Sequence, residues 1–133
     1  MSRMTVRSVF FYLVLSVALV QLPADLRAGE DVVAEGDFVG QSQHTASGTV
    51  KVVRADDGAI VVFDDNFRFD GAPDPKLGFG KDGYVKSTKF SALKSNAGGQ
   101  VYEIPASIDP EKYNEVWIWC ETYNVPLGVA ELQ

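Results

Sequence analysis

Seven short runs, TVKVV (49–53), AIVVFD (59–64), KLGFG (76–80), TKFSAL (88–93), QVYEI (100–104), EVWIWC (115–120) and PLGVAEL (126–132), alternate with turn-forming residues downstream of His44. No ten-residue stretch in that region spaces its apolar side chains at a helical period, so the pattern specifies an all-β fold. Turn chemistry agrees: Asp56-Asp57-Gly58 is a hairpin signal, and Lys81-Asp82-Gly83 and Asn96-Ala97-Gly98-Gly99 place residues that tolerate positive φ between runs. Asp109 before Pro110 predicts a single helical turn, with the aspartate as its cap and proline at its first position.

Several runs are apolar on both faces. In EVWIWC, strand parity sets Val116, Ile118 and Cys120 on one side and Trp117, Trp119 and Glu121 on the other. A lone antiparallel sheet would leave one such face wet, so the expectation is an antiparallel β-sandwich or small barrel of about seven to nine short strands. The segment 29–37 is polar and acidic and reads as a leader, with the β domain spanning 38–133.

The N-terminus is of another kind. Arg3 and Arg7 precede the apolar run SVFFYLVLSVALVQL, and Pro23, Ala24 and Ala28 follow it. This is the layout of a secretory signal peptide over residues 1–28, cut after Ala28 or Ala24. The run is shorter than the ~20 residues a spanning helix requires, which disfavours the alternative of an uncleaved anchor. The expected destination is periplasmic or extracellular, with no membrane span after cleavage. The chain has 12 Lys and Arg against 18 Asp and Glu. Cleavage would remove Arg3, Arg7, Arg27 and Asp25, leaving 9 against 17, a net charge of −8. Such a surface excludes nucleic acid as a partner, because phosphate recognition needs clustered cations.

The side-chain inventory narrows the chemistry. There is one cysteine, Cys120, and one histidine, His44, and both methionines, Met1 and Met4, lie in the expected signal peptide. A four-ligand zinc or iron–sulfur centre cannot be built from one chain, a blue-copper site lacks a histidine, and C-x-x-C-H haem attachment is absent. No serine sits in a G-x-S-x-G setting, and a strand-borne cysteine lacks the helix N-terminus that lowers thiol pKa values in cysteine nucleophiles. Asp56, Asp57, Asp64, Asp65, Asp70 and Asp74 form no calcium-loop pattern and read as turn residues.

Two readings of Cys120 stay open. Unpaired cysteine behaves as a small buried hydrophobe, whereas a free thiol in an oxidising compartment invites redox use. His44 either closes a strand end or stands beside Cys120 as its partner. Trp117, Trp119, Tyr102, Tyr113 and Tyr123 either pack or line a ligand face.

An ordered series of motifs, FVGQSQHTASGTVKV, FDGAPDPKLGFG, LKSNAGGQVYEIP and YNEVWIWCETYNVPLGVAEL, resembles the DM-thirteen domain family over about Phe38 to Leu132. This electron-transfer type of domain accompanies DOMON domains and occurs in Skeletor-like proteins. The resemblance implies a β domain whose W-C cysteine, here Cys120 after Trp119, acts as a free redox thiol or as a ligand to haem or a metal. It further implies His44 as the histidine ahead of Gly48 and Asp74 as the aspartate of a P-D pair, although Pro75-Lys76 replaces the apolar residues common after it. The expected function is therefore an exported redox or electron-transfer domain with a separate redox or surface protein as partner. The alternative is a non-catalytic binding or interaction module with Cys120 in its core.

Overall fold

The computed structural model describes residues 31–133, so the expected signal peptide at 1–28 lies outside the described residues. Ten strands follow in order: β1 (Asp31–Gly40), β2 (Ala46–Ser47), β3 (Thr49–Ala55), β4 (Gly58–Phe63), β5 (Arg68–Phe69), β6 (Pro75–Gly80), β7 (Ser91–Ala92), β8 (Gln100–Ile104), β9 (Glu115–Cys120) and β10 (Val125–Glu131). Eight form one antiparallel sheet in the order β7-β6-β9-β10-β1-β3-β4-β8, and β2 pairs with β5 beside it. The large sheet curls into a nearly closed barrel, the second of the two expected architectures. Its edges approach around Tyr102: the Lys94 backbone N–H donates to the Tyr102 hydroxyl at 2.9 Å, and Phe90 meets the Tyr102 ring at 6.0 Å. Among the described residues no helix is long and apolar enough to cross a membrane.

Alternation fills the barrel. Val50 and Val52 from β3, Val61 and Phe63 from β4, Leu77 and Phe79 from β6, and Val116, Ile118 and Cys120 from β9 all point inward and are buried. Phe38, Phe63 and Phe67 close one region of the core, with ring centroids 4.6–5.4 Å apart in edge and tilted arrangements. Such aromatic pairs contribute about 0.5–1.5 kcal/mol each beyond their burial. The hairpin expected at Asp56-Asp57 joins β3 to β4, closing on the Ala55–Gly58 pair. The helical turn expected after Asp109 is a 3-10 turn, Pro110–Lys112, and Asp109 Oδ1 accepts from Glu111 N–H at 3.1 Å as its cap.

Two segments differ from expectation. From Asp31 on, the acidic stretch read as a leader is β1, the strand that joins the two halves of the sheet. Asp31–Asp37 pair with β3, and Phe38–Gly40 pair with β10. Most of its side chains are exposed or half-buried, so apolar alternation gives no signal; backbone pairing on both sides holds it. The run TKFSAL holds only the two-residue β7, after a 3-10 turn at Lys86–Thr88. Thr88 is buried, and its hydroxyl accepts from Phe79 N–H at 2.7 Å and lies 2.6 Å from Val85 O. A side-chain hydroxyl thus satisfies backbone groups that a longer strand would have paired.

Candidate redox site

Cys120 ends β9, flanked in the sheet by Pro75 of β6 and Val125 of β10. Strand parity turns its side chain inward with Val116 and Ile118, as read from the sequence, and only 1% of the residue is exposed. Its sulfur is nonetheless in a polar setting. Sγ–H donates to the Pro73 carbonyl at 3.1 Å, and Tyr123 N–H donates to Sγ at 3.5 Å. Pro73 and Tyr123 are both exposed, the latter at 67%, so the thiol lies one layer beneath solvent-facing loops.

The segment 70–74, DGAPD, runs across this end of the barrel as a strap. At its start Asp70 N–H donates to Thr45 O at 3.1 Å, and Asp70 Oδ1 lies 2.9 Å from His44 Nδ1. The hydrogen bond from His44 is the main reason the Asp70 carboxyl is held below its ordinary value. At its end Asp74 accepts from the Thr122 hydroxyl at 2.7 Å and pairs with Lys76 Nζ at 3.0 Å, and these two contacts hold its carboxyl low in the same way. Glu121 N–H also donates to Asp74 O at 3.3 Å. Asp74 has φ +53° and Gly71 φ +93°, two left-handed residues that set the path of this short connection.

The strap relates the two residues singled out from the sequence. His44 touches its first residue and Cys120 its fourth, and no hydrogen bond or ion pair joins His44 to Cys120 directly. Asp74, implied by resemblance, fastens the strap beside the thiol. Sequence reading took Asp70 only as a turn residue and passed over two contributors, Pro73 and Thr122. Their signal was present in FDGAPDP and CET, where turn residues precede β6 and follow β9, but nothing local indicates that these loops meet.

A haem or metal at Cys120 would need an open coordination position at the sulfur and further ligands beside it. The sulfur is enclosed by Pro73, Tyr123 and the core, and His44 Nδ1 is committed to Asp70. Among the described residues no set of three or more His, Cys, Asp or Glu side chains is grouped to hold a metal ion. The closed arrangement does not fit either group.

The aromatic residues divide. Tyr102 is buried, and Tyr113 packs on Phe79 at 5.8 Å, so both serve the core. Trp117 and Trp119 lie on the outer face of β9, in edge contact at 6.1 Å. Of the six aspartates read as turn residues, Asp64 pairs with Lys51 at 3.3 Å, and Asp70 and Asp74 fasten the strap.

Fold and site together define a small all-β domain, a nearly closed antiparallel barrel with one thiol held under a surface strap. Residues 37–132 match the family described as Electron transfer DM13, and the chain belongs to that family. No curated protein and no solved structure matches it significantly.

Proposed function

We propose that this chain is an exported electron-transfer domain in which Cys120 is the redox group and the 70–74 strap controls access to it. What carries this reading is the polar setting of Sγ, bonded to Pro73 O and Tyr123 N–H beneath exposed residues rather than sealed among apolar side chains alone. Family membership supplies the reaction class.

A lone thiol exchanges electrons in pairs with a disulfide. Cys120 loses its proton to solvent, its thiolate attacks one sulfur of a partner protein's disulfide, a new S–S bond forms, and the old one breaks. The second partner sulfur leaves as a thiolate carrying the electron pair, so Cys120 is oxidised and the partner sulfur reduced. The closed strap denies the in-line approach this reaction needs. Opening of 70–74 and of the Glu121–Asn124 turn exposes Sγ while the eight-stranded sheet stays paired, the kind of sub-global opening that costs less than unfolding. Export supplies an environment in which partner disulfides persist.

The test is mixed-disulfide formation. Incubated with a disulfide reagent under native conditions, the protein is expected to gain one adduct at Cys120, reversed by added thiol, and Cys120→Ser to gain none while retaining its fold. A wild-type protein that stays unmodified until denatured would refute the redox reading. That result supports the second one, a binding module with Cys120 as core, which draws on the residue's 1% exposure. Export has its own check: the mature N-terminus, read by mass spectrometry of protein recovered outside the cytoplasm, is expected at Gly29 or Asp25.

A further inference from the structure

The outer face of β6 and β9 carries a feature that the thiol chemistry does not use. Gly78 and Gly80 leave this face of β6 without side chains, and aromatic rings occupy the space: a Cβ on Gly78 would come within 2.6 Å of Tyr84 Cε2, and one on Gly80 would overlap the Trp117 ring. Tyr84 stacks on Trp119 with centroids 4.7 Å apart and planes at 20°. Beside this stack lies a cleft of about 140 Å³, lined by Tyr84, Trp119, Lys86, Lys89, Glu121 and Asn124.

The rim has hydrogen-bonding capacity left over. Asn124 Oδ1 accepts from Trp119 Nε1–H at 3.3 Å, which leaves the amide N–H groups free. Lys89 Nζ bonds both Glu121 oxygens, at 3.1 and 3.0 Å, and the carboxylate keeps further lone pairs. Lys86 is exposed and has no ion-pair partner among the described residues. Two lysines against one glutamate make the cleft locally positive in a chain of net charge −6.

Size, walls and rim select a ligand class. An apolar cavity of about 150 Å³ accommodates benzene, so this cleft has room for one six-membered ring. The ring surface that Tyr84 and Trp119 leave outside their mutual stack gives the cleft an apolar side for the C–H groups of a sugar, and Asn124, Lys89 and Glu121 supply donors and an acceptor for hydroxyls around its edge. A benzoate-like anion would match the walls but leave the acceptor Glu121 facing bare ring edge. We propose that the cleft binds a single carboxylate-bearing sugar ring, a uronic acid, with its carboxylate at Lys86. The proposal does not rest on the redox reading, although Glu121 and Asn124 of the cleft bound the turn that the redox reading opens.

Glucuronic acid, glucose and benzoate are titrated into the protein at neutral pH, following the Trp119 indole N–H resonance. The expected result is saturable binding of glucuronic acid with Kd of about 1 mM, a modest affinity in keeping with one small ring. Glucose is expected to bind about tenfold more weakly and benzoate no better than glucose. Lys86→Gln, at an exposed unpaired position, should bring glucuronic acid to the glucose level without changing the Tm. Tyr84→Ala should abolish binding of both sugars, with the Tm and amide spectrum reporting whether the fold is retained. No saturable shift up to about 50 mM glucuronic acid, tighter binding of benzoate than of glucuronic acid, or an unaltered Kd in Lys86→Gln would each overturn the proposal.

Discussion

Single residues divide into those whose role is set by the strand they occupy and those whose role is set by a loop that meets them. Cys120 belongs to both groups: β9 turns it into the core, and Pro73 and Tyr123, from two loops, give its sulfur polar partners. The first fact was legible in EVWIWC by parity alone. The second was not, because Pro73 lies 47 residues away and no local pattern encodes that approach. Gly40 is a comparable case. It ends β1, and a Cβ there would overlap the His44 carbonyl, so only glycine allows the loop carrying His44 to fold back on the strand. Gly40→Ala is expected to cost roughly 3 kcal/mol or more, since the obstacle is backbone that cannot rotate aside. Urea denaturation measures this, and a cost below about 0.5 kcal/mol would mean the His44 loop is free to move.

At the scale of elements, the strap 70–74 and strand β1 carry most of what the sequence left hidden. The strap is fastened at both ends by carboxylates, Asp70 to His44 and Asp74 to Thr122 and Lys76. Both carboxyls are held below their ordinary value of 3.8. A carboxyl with a lowered folded-state pKa contributes stability that is complete above the unfolded value and is lost as pH falls through the folded one. Hydrogen-exchange protection of Asp70 N–H and Glu121 N–H is therefore expected to hold from pH 7 down to about 5 and to fall below about 4, before the protection of β3 and β4. Thr122→Val removes one fastening at neutral pH. It should raise the rate at which Cys120 reacts with a disulfide reagent about tenfold, corresponding to the loss of one charge-assisted hydrogen bond, with little change in Tm. Strand β1 was invisible because its stabilisation lies in backbone pairing with β3 and β10 rather than in buried side chains. Deleting residues 29–37 strips β3 of its β1 partner along Thr49–Arg54 and opens the sheet between β10 and β3. The truncated protein is expected to lose cooperative thermal unfolding, whereas a leader with no structural part would be dispensable.

For the whole molecule, the all-β class, six of the main strands, the Asp56-Asp57 turn and the inward face of β9 were readable because each depends on residues adjacent in sequence. Barrel closure was not, since it depends on Tyr102 of β8 meeting Phe90, the residue before β7, across opposite edges of the sheet. That closure gives the thiol its setting, a nearly closed barrel in which the 70–74 strap and the turn after β9 lie over the sulfur. The central claim is that Cys120 is reached by opening those loops while the barrel remains folded. It is tested most directly by comparing, in one protein under native conditions, the rate of Cys120 modification by a disulfide reagent with the rate of global unfolding. The expected result is modification at least tenfold faster than unfolding, and faster still in Thr122→Val. Modification no faster than global unfolding, and unaltered in Thr122→Val, would contradict the account and leave Cys120 as a residue of the core.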